Sequence, residues 1–390
     1  MIKIIVTLLT LFSFSLSQAK EVSVGIILGF TGPIESLTPD MSSGAELAFK
    51  EASDSGNLLN GTTLNVIKAD STCIDSAAAT AAAEVLVNHV SAIMGADCSG
   101  VTGAILSNVA VPNGVPMISP SATSPALTTA EDNGLFFRTA PSDARGGEVL
   151  ADITSDRGIS SVAITYVNTD YGVGLADVYE AAAEARGIEV TAKTAHEGDK
   201  ADYSAEVGVL SAAGGDALVV IGYLDQGGNQ IIQGSLDSGA FDTFVLSDGM
   251  IGDSLTDTFG TDLDGSFGSM PGSTSAGAQK FKAYAEANGV NPSVYVGESY
   301  DAAALIVLAM AKGGSADSAS VAANIMSVAN GPGTKIYAGE LAKGLELASA
   351  GFAVDYDGAT DVNFTEVGEA FGAFLEKGIE GGKFVTVSQR

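Results

Sequence analysis

The feature that most restricts what this chain can fold into is a regular exchange between two hydrophobic periods. Short apolar runs rich in β-branched residues, at 22–28, 63–69, 92–95, 116–119, 161–167, 189–195, 217–222 and 243–246, read as strands. Between them lie Ala-rich segments of helical spacing at 42–53, 76–88, 100–110, 174–186, 203–213 and 228–239, and two more follow at 276–288 and 300–312. Strands that are apolar on both faces are covered on both faces, and parallel neighbours need a helical crossover between them. The exchange therefore predicts an α/β protein built from doubly wound parallel sheets. The pattern runs through twice, and a chain of 390 residues is too long for one ordinary core, so two lobes are expected. Flexible candidates for the passages between them lie at 139–143, 269–275 and 355–360.

The N-terminus carries its own signal. Lys3 precedes an apolar run over 4–16, followed by Ser17-Gln18-Ala19 with small residues where a signal peptidase reads. Residues 1–19 read as a secretory signal peptide, because the run is too short to cross a hydrocarbon core of about 30 Å. No cysteine lies near the cleavage point, which argues against a lipid anchor and for a soluble periplasmic protein. Removing the leader takes away only Lys3, leaving 17 Lys+Arg against 47 Asp+Glu, a net charge of −30. So acidic a surface repels nucleic acid and anionic lipid, and it fits a salty habitat or a need for solubility. The two cysteines, Cys73 and Cys98, would meet an oxidising compartment and are expected to form a structural disulfide. The two histidines, His89 and His196, stand in no ligand-spaced cluster, so no metal is expected.

In open parallel sheets ligands bind beyond the carboxyl ends of the strands, and here small and polar residues gather there. Asp97-Cys98-Ser99-Gly100 follows the third strand at a helix start, where backbone N–H groups and the Ser99 hydroxyl suit a carboxylate. Pro120-Ser121-Ala122-Thr123 follows the fourth and offers hydroxyls and carbonyls to the same crevice. From the second half, Tyr171, Tyr223 and Asp248 follow three strand ends and would suit an ammonium through charge-assisted hydrogen bonds and cation–π contact. Each has a plainer reading as a helix cap or turn former.

Taken together, Gly29-Phe30-Thr31-Gly32-Pro33, the Cys73 and Cys98 pair, Met117-Ile118-Ser119-Pro120-Ser121-Ala122-Thr123, Phe137-Arg138-Thr139 and Asp170-Tyr171-Gly172 resemble the periplasmic leucine/isoleucine/valine-binding proteins of the type I periplasmic-binding-protein fold. The resemblance implies two doubly wound lobes joined by three crossings, divided as 20–140 with 272–355 and 141–271 with 356–390. It also implies a monomer that closes on a small amino acid, branched-chain or aliphatic, and delivers it to the inner-membrane permease of an ABC importer. By resemblance Ser99, Ser121 and Thr123 hold the α-carboxylate and part of the ammonium, Asp248 is the acidic ammonium partner, and Tyr171 and Tyr223 are cleft aromatics. Two departures bear on the ligand: Asp248 is shorter than the family's usual Glu, and Glu35-Ser36-Leu37 lacks an aromatic that near relatives place there. The same fold could instead hold an organic acid, an amide or an aromatic carboxylate, or serve a membrane receptor as its sensing subunit. Enzyme motifs are not seen: there is no Gly-x-Ser-x-Gly elbow, no phosphate-binding loop and no His-Glu-x-x-His, and no cofactor is expected.

Overall fold

The computed structural model describes residues 20–390, and the leader read in 1–19 lies outside the described residues. The first ten strands are β1 (Glu21–Leu28), β2 (Thr63–Asp70), β3 (Ile93–Gly95), β4 (Met117–Ser119), β5 (Phe136–Pro141), β6 (Ser161–Val167), β7 (Glu189–His196), β8 (Ala217–Ile221), β9 (Phe244–Leu246) and β10 (Phe267–Pro271). Then come β11 (Thr334–Ile336), β12 (Val354–Tyr356), β13 (Glu369–Ala370), β14 (Phe374–Ile379) and β15 (Phe384–Gln389).

Among the described residues these strands build two large sheets, ordered β13-β5-β4-β3-β1-β2 and β15-β14-β10-β9-β8-β6-β7, with β11 and β12 paired apart. The first is parallel throughout; the second turns antiparallel only at its β10, β14, β15 edge. This is the doubly wound α/β architecture in two lobes that the alternating periods predict. Strands β3, β4, β8 and β9 are buried along their whole length, as sheets covered by helices on both faces require.

The first lobe is organised around the helix Val296–Gly313, which packs on the helix Thr38–Asp54. It is apolar nearly all round, and Leu305, Ile306 and Leu308 are fully buried, each stabilising the fold by about 1.5–3 kcal/mol. No described helix is long and apolar enough to cross a membrane.

The chain passes between lobes three times: from β5 into the helix Asp143–Asp156, from β10 into the helix Ala276–Ala287, and from β13 into β14. The last passage falls later than the expected boundary at 355/356. Glu369 keeps the chain in the first sheet by pairing with Arg138 on β5, both through the strand register and through an ion pair at 2.5 Å. The helix Asp143–Asp156 was hidden in the sequence because Gly146, Gly147 and its charges dilute the apolar period, yet its start is well specified: the Ser142 hydroxyl accepts the Ala144 N–H.

Candidate functional site

The carboxyl ends of β3 and β4 in the first lobe face those of β6, β8 and β9 in the second across a narrow crevice. It is lined by Ile34, Leu37, Asp97, Cys98, Ser99, Ser121, Tyr171, Tyr223, Asp248, Gly249 and Tyr295. With the lobes closed, the cavity left between these walls is only about 30 Å³, room for a water or two.

On the first-lobe wall Asp97 acts as a strut. One carboxylate oxygen accepts the Gly29 N–H at 2.6 Å; the other accepts the Ser71 hydroxyl and the Cys98 N–H at 3.0 and 2.9 Å. Burial pushes its pKa up, and these donors pull it back. The Cys73–Cys98 disulfide ties the same corner to the turn after β2. Beside it the chain enters a helix at Ser99. The Ser99 Oγ accepts the Ser124 N–H at 3.1 Å, so its hydroxyl proton is free to donate into the crevice. Ser121 has the opposite polarity: its hydroxyl donates to the Asp97 carbonyl at 3.1 Å and presents only lone pairs. Fully buried Arg138 fixes this turn by donating to the carbonyls of Ala122 and Ser124 at 3.1 and 2.9 Å. Thr123, expected beside Ser99 and Ser121, does not line the crevice. Its carbonyl accepts the Asp143 N–H at 2.9 Å, and its buried Oγ1 has no partner.

The second-lobe wall is aromatic and acidic. Tyr171 opens the helix Asp170–Ala185, capped by the Thr169 hydroxyl. Gly172 follows because a Cβ there would lie 2.0 Å from the Val167 carbonyl. The rings of Tyr171 and Tyr223 stack at 5.3 Å between centroids. Asp248 begins a short 3-10 turn after β9. The Tyr171 hydroxyl donates to its Oδ1 at 2.6 Å, and the Tyr295 hydroxyl donates to Oδ2. Burial raises the Asp248 pKa, and the two phenols oppose that rise. Both tyrosine hydroxyls are held far above their ordinary range by burial and by the Asp248 charge, so they act as donors.

The lobes are closed on each other. Besides the Tyr295 to Asp248 bond, the Ser124 hydroxyl donates to the Asp170 carbonyl at 3.0 Å. The Ser36 N–H donates to the Asp225 carboxylate, and the Asp225 N–H returns a bond to the Pro33 carbonyl, each at 2.9 Å.

The structure thus brings Ser99, Ser121, Tyr171, Tyr223 and Asp248 to one crevice and sets Thr123 behind it. Tyr295 was not foreseen, since it follows no strand and reaches the site from the N-terminal end of the helix Val296–Gly313. Its φ of 62° places a bulky non-glycine residue in the left-handed region, a strained geometry of the kind that collects at binding sites. Among the described residues no cluster of three or more His, Cys, Asp or Glu side chains is disposed to hold a metal. Chemically, the crevice offers a free hydroxyl proton and hydroxyl lone pairs on one wall and a carboxylate opposite, which is complementary to a zwitterion.

A family model of periplasmic binding proteins matches residues 21–338. The chain is 30% identical over 326 residues, 81% of its length and 85% of the relative's, to Leu/Ile/Val-binding protein homolog 1 of Brucella melitensis biotype 1. It is 29% identical over 377 residues, 91% of its length and 86% of the relative's, to the chemotactic signal transduction system substrate-binding protein BasB of Halobacterium salinarum. Among solved structures it is similar to the leucine binding protein LivK from Thermotoga maritima MSB8, with a TM-score of 0.78, 22% identity and coverage of 94% of this chain and 98% of the other.

Proposed function

Since this chain belongs to the family of periplasmic binding proteins, we propose that it captures a small amino acid, branched-chain or aliphatic, in the crevice between its lobes and delivers it to an ABC importer. The periplasm is its place of work and the inner-membrane permease its partner; it does no chemistry on the ligand. The observation that carries this reading is Asp248. A buried carboxylate facing a ligand crevice is costly unless a cation or strong donors meet it, and here, among the described residues, its hydrogen-bonding side chains are tyrosines that a ligand ammonium could supplement or displace. Ser99, opposite, keeps a hydroxyl proton for the α-carboxylate, and the Ser121 lone pairs face the ammonium. Ile34 and Leu37 leave an aliphatic surface for a side chain. The Brucella relative's name supports the ligand class.

The test is a thermal-shift screen of the mature protein, refolded to strip carried-over ligand, against amino acids, amides, polyamines and aromatic acids. A ligand that binds only the folded state raises stability by RT ln(1 + [L]/Kd), so aliphatic amino acids should give the largest shifts. A screen in which only aromatic or organic acids shift the melting temperature would overturn the reading. The match to BasB over 91% of this chain supports a second reading of the partner, a membrane receptor in place of a permease, with the same ligand chemistry.

A further inference from the structure

The crevice does not end at Asp248. Behind that carboxylate is a much smaller chamber of about 10 Å³, where Asp143, Asp248, Ser247 and Ser269 face the apolar Leu175 and Phe374. Asp143 is the first residue of the helix that receives the first crossing between lobes, and it is 3% exposed. Its Oδ2 is buried with no hydrogen-bond partner, and the buried Thr123 hydroxyl beside it is the nearest donor to the carboxyl. Besides Thr123, Ser247 and Ser269, further titratable groups lie within range of its charge. From the second lobe comes Asp248, with the hydroxyls of Tyr171 and Tyr223 beyond; from the start of the helix Val296–Gly313 comes Tyr295. Among the described residues the cation within influence is Arg138, whose guanidinium is already committed to Glu369, Thr128 and the carbonyls of Ala122 and Ser124.

Two buried carboxylates that face one small chamber without a dedicated cation oppose each other's ionisation, and their titration belongs to both members. Burial and the Asp248 charge hold the Asp143 carboxyl well above the usual carboxylate range, against the smaller opposing pull of the Thr123 hydroxyl and of Arg138. We propose that Asp143 is a specificity-determining positioning residue: it keeps one proton on the Asp143–Asp248 pair in the empty site, and an arriving ammonium group expels that proton. The inference rests on reading the crevice as an ammonium site. In the step one carboxyl O–H bond breaks, the proton leaves to solvent, and the ammonium keeps its three hydrogens, so the buried site gains one negative charge as it takes up one positive charge. A ligand without a cation has no means of expelling the proton. Affinity for an amino acid therefore tightens as pH rises toward the pair's pKa, by up to about tenfold per pH unit, and discrimination against uncharged analogues widens with it.

The experiment is calorimetric titration of the full mature chain with L-leucine, in buffers of different ionisation enthalpy and across pH. It is paired with carbon-detected NMR titration of the aspartate carboxyls in the unliganded protein. The expected result is release of a substantial fraction of one proton per leucine bound by the wild type, a flat pH profile in Asp143→Asn, and one aspartate of the pair still protonated well above about pH 3.9. Tight leucine binding with no proton release, or equal release by Asp143→Asn, would overturn the proton coupling and leave the amino-acid reading intact. Both carboxyls ionising in the ordinary range would overturn it without reference to any ligand or variant. Failure of leucine and every other amino acid to bind would sink the amino-acid reading and the coupling together.

Discussion

The two walls of the crevice meet the same difficulty, polar groups held away from water, by opposite means. On the first-lobe wall the polar atoms are committed to their own lobe: Asp97 has three donors, Arg138 spans the Ser121 turn, and a disulfide closes the corner. On the second-lobe wall the Asp248 carboxylate depends on hydroxyls that can be exchanged, one of them from the other lobe. The first wall is a preorganised cradle, with little to reorganise when a ligand arrives. On the proposed reading, the second exchanges its partners when an ammonium binds, and selectivity for a cation would reside there.

The substitution that would most sharply separate the walls is Asp248→Asn, which removes the charge and keeps the shape. It should cost about 2–5 kcal/mol of affinity for an amino acid, since the ligand ammonium is left buried without a counter-charge. An unchanged Kd by calorimetry would mean that the second wall is not the selective one. On the first wall the effects should be smaller and unequal. Ser99→Ala removes a free donor and should weaken binding by about 1–3 kcal/mol, the cost of losing a hydrogen bond to a charged group. Ser121→Ala removes a hydroxyl whose proton already serves Asp97, and about 0.5–1.5 kcal/mol is expected. The reverse order between the two serines would break the assignment of donor and acceptor along that wall.

The difference between the walls also explains how much was legible in the sequence. Residues that follow a strand end directly, Ser99, Ser121, Tyr171, Tyr223 and Asp248, could be found because parallel sheets aim those turns at the crevice and the strands themselves are strongly apolar. Tyr295 follows no strand, and only the packing of the Val296–Gly313 helix carries it to Asp248. Asp143 fell at the end of 139–143, read as a flexible passage; its burial beside Asp248 is a long-range fact. Thr123 was legible as a hydroxyl near the crevice, but its orientation depends on the carbonyl contact with Asp143, which no local pattern encodes. The third crossing eluded composition for a similar reason, because the Arg138–Glu369 pair that sets it joins residues 231 apart.

The claim that binds these observations together is that the crevice recognises an ammonium group at Asp248. Calorimetric titration of the wild-type protein at neutral pH with L-leucine and with its desamino counterpart, 4-methylpentanoate, tests it most directly, because the two ligands share carboxylate and side chain. The account predicts that leucine binds about a hundredfold or more tighter, a difference of roughly 3 kcal/mol. Equal affinity for the two would contradict it and mark the crevice as a carboxylic-acid site.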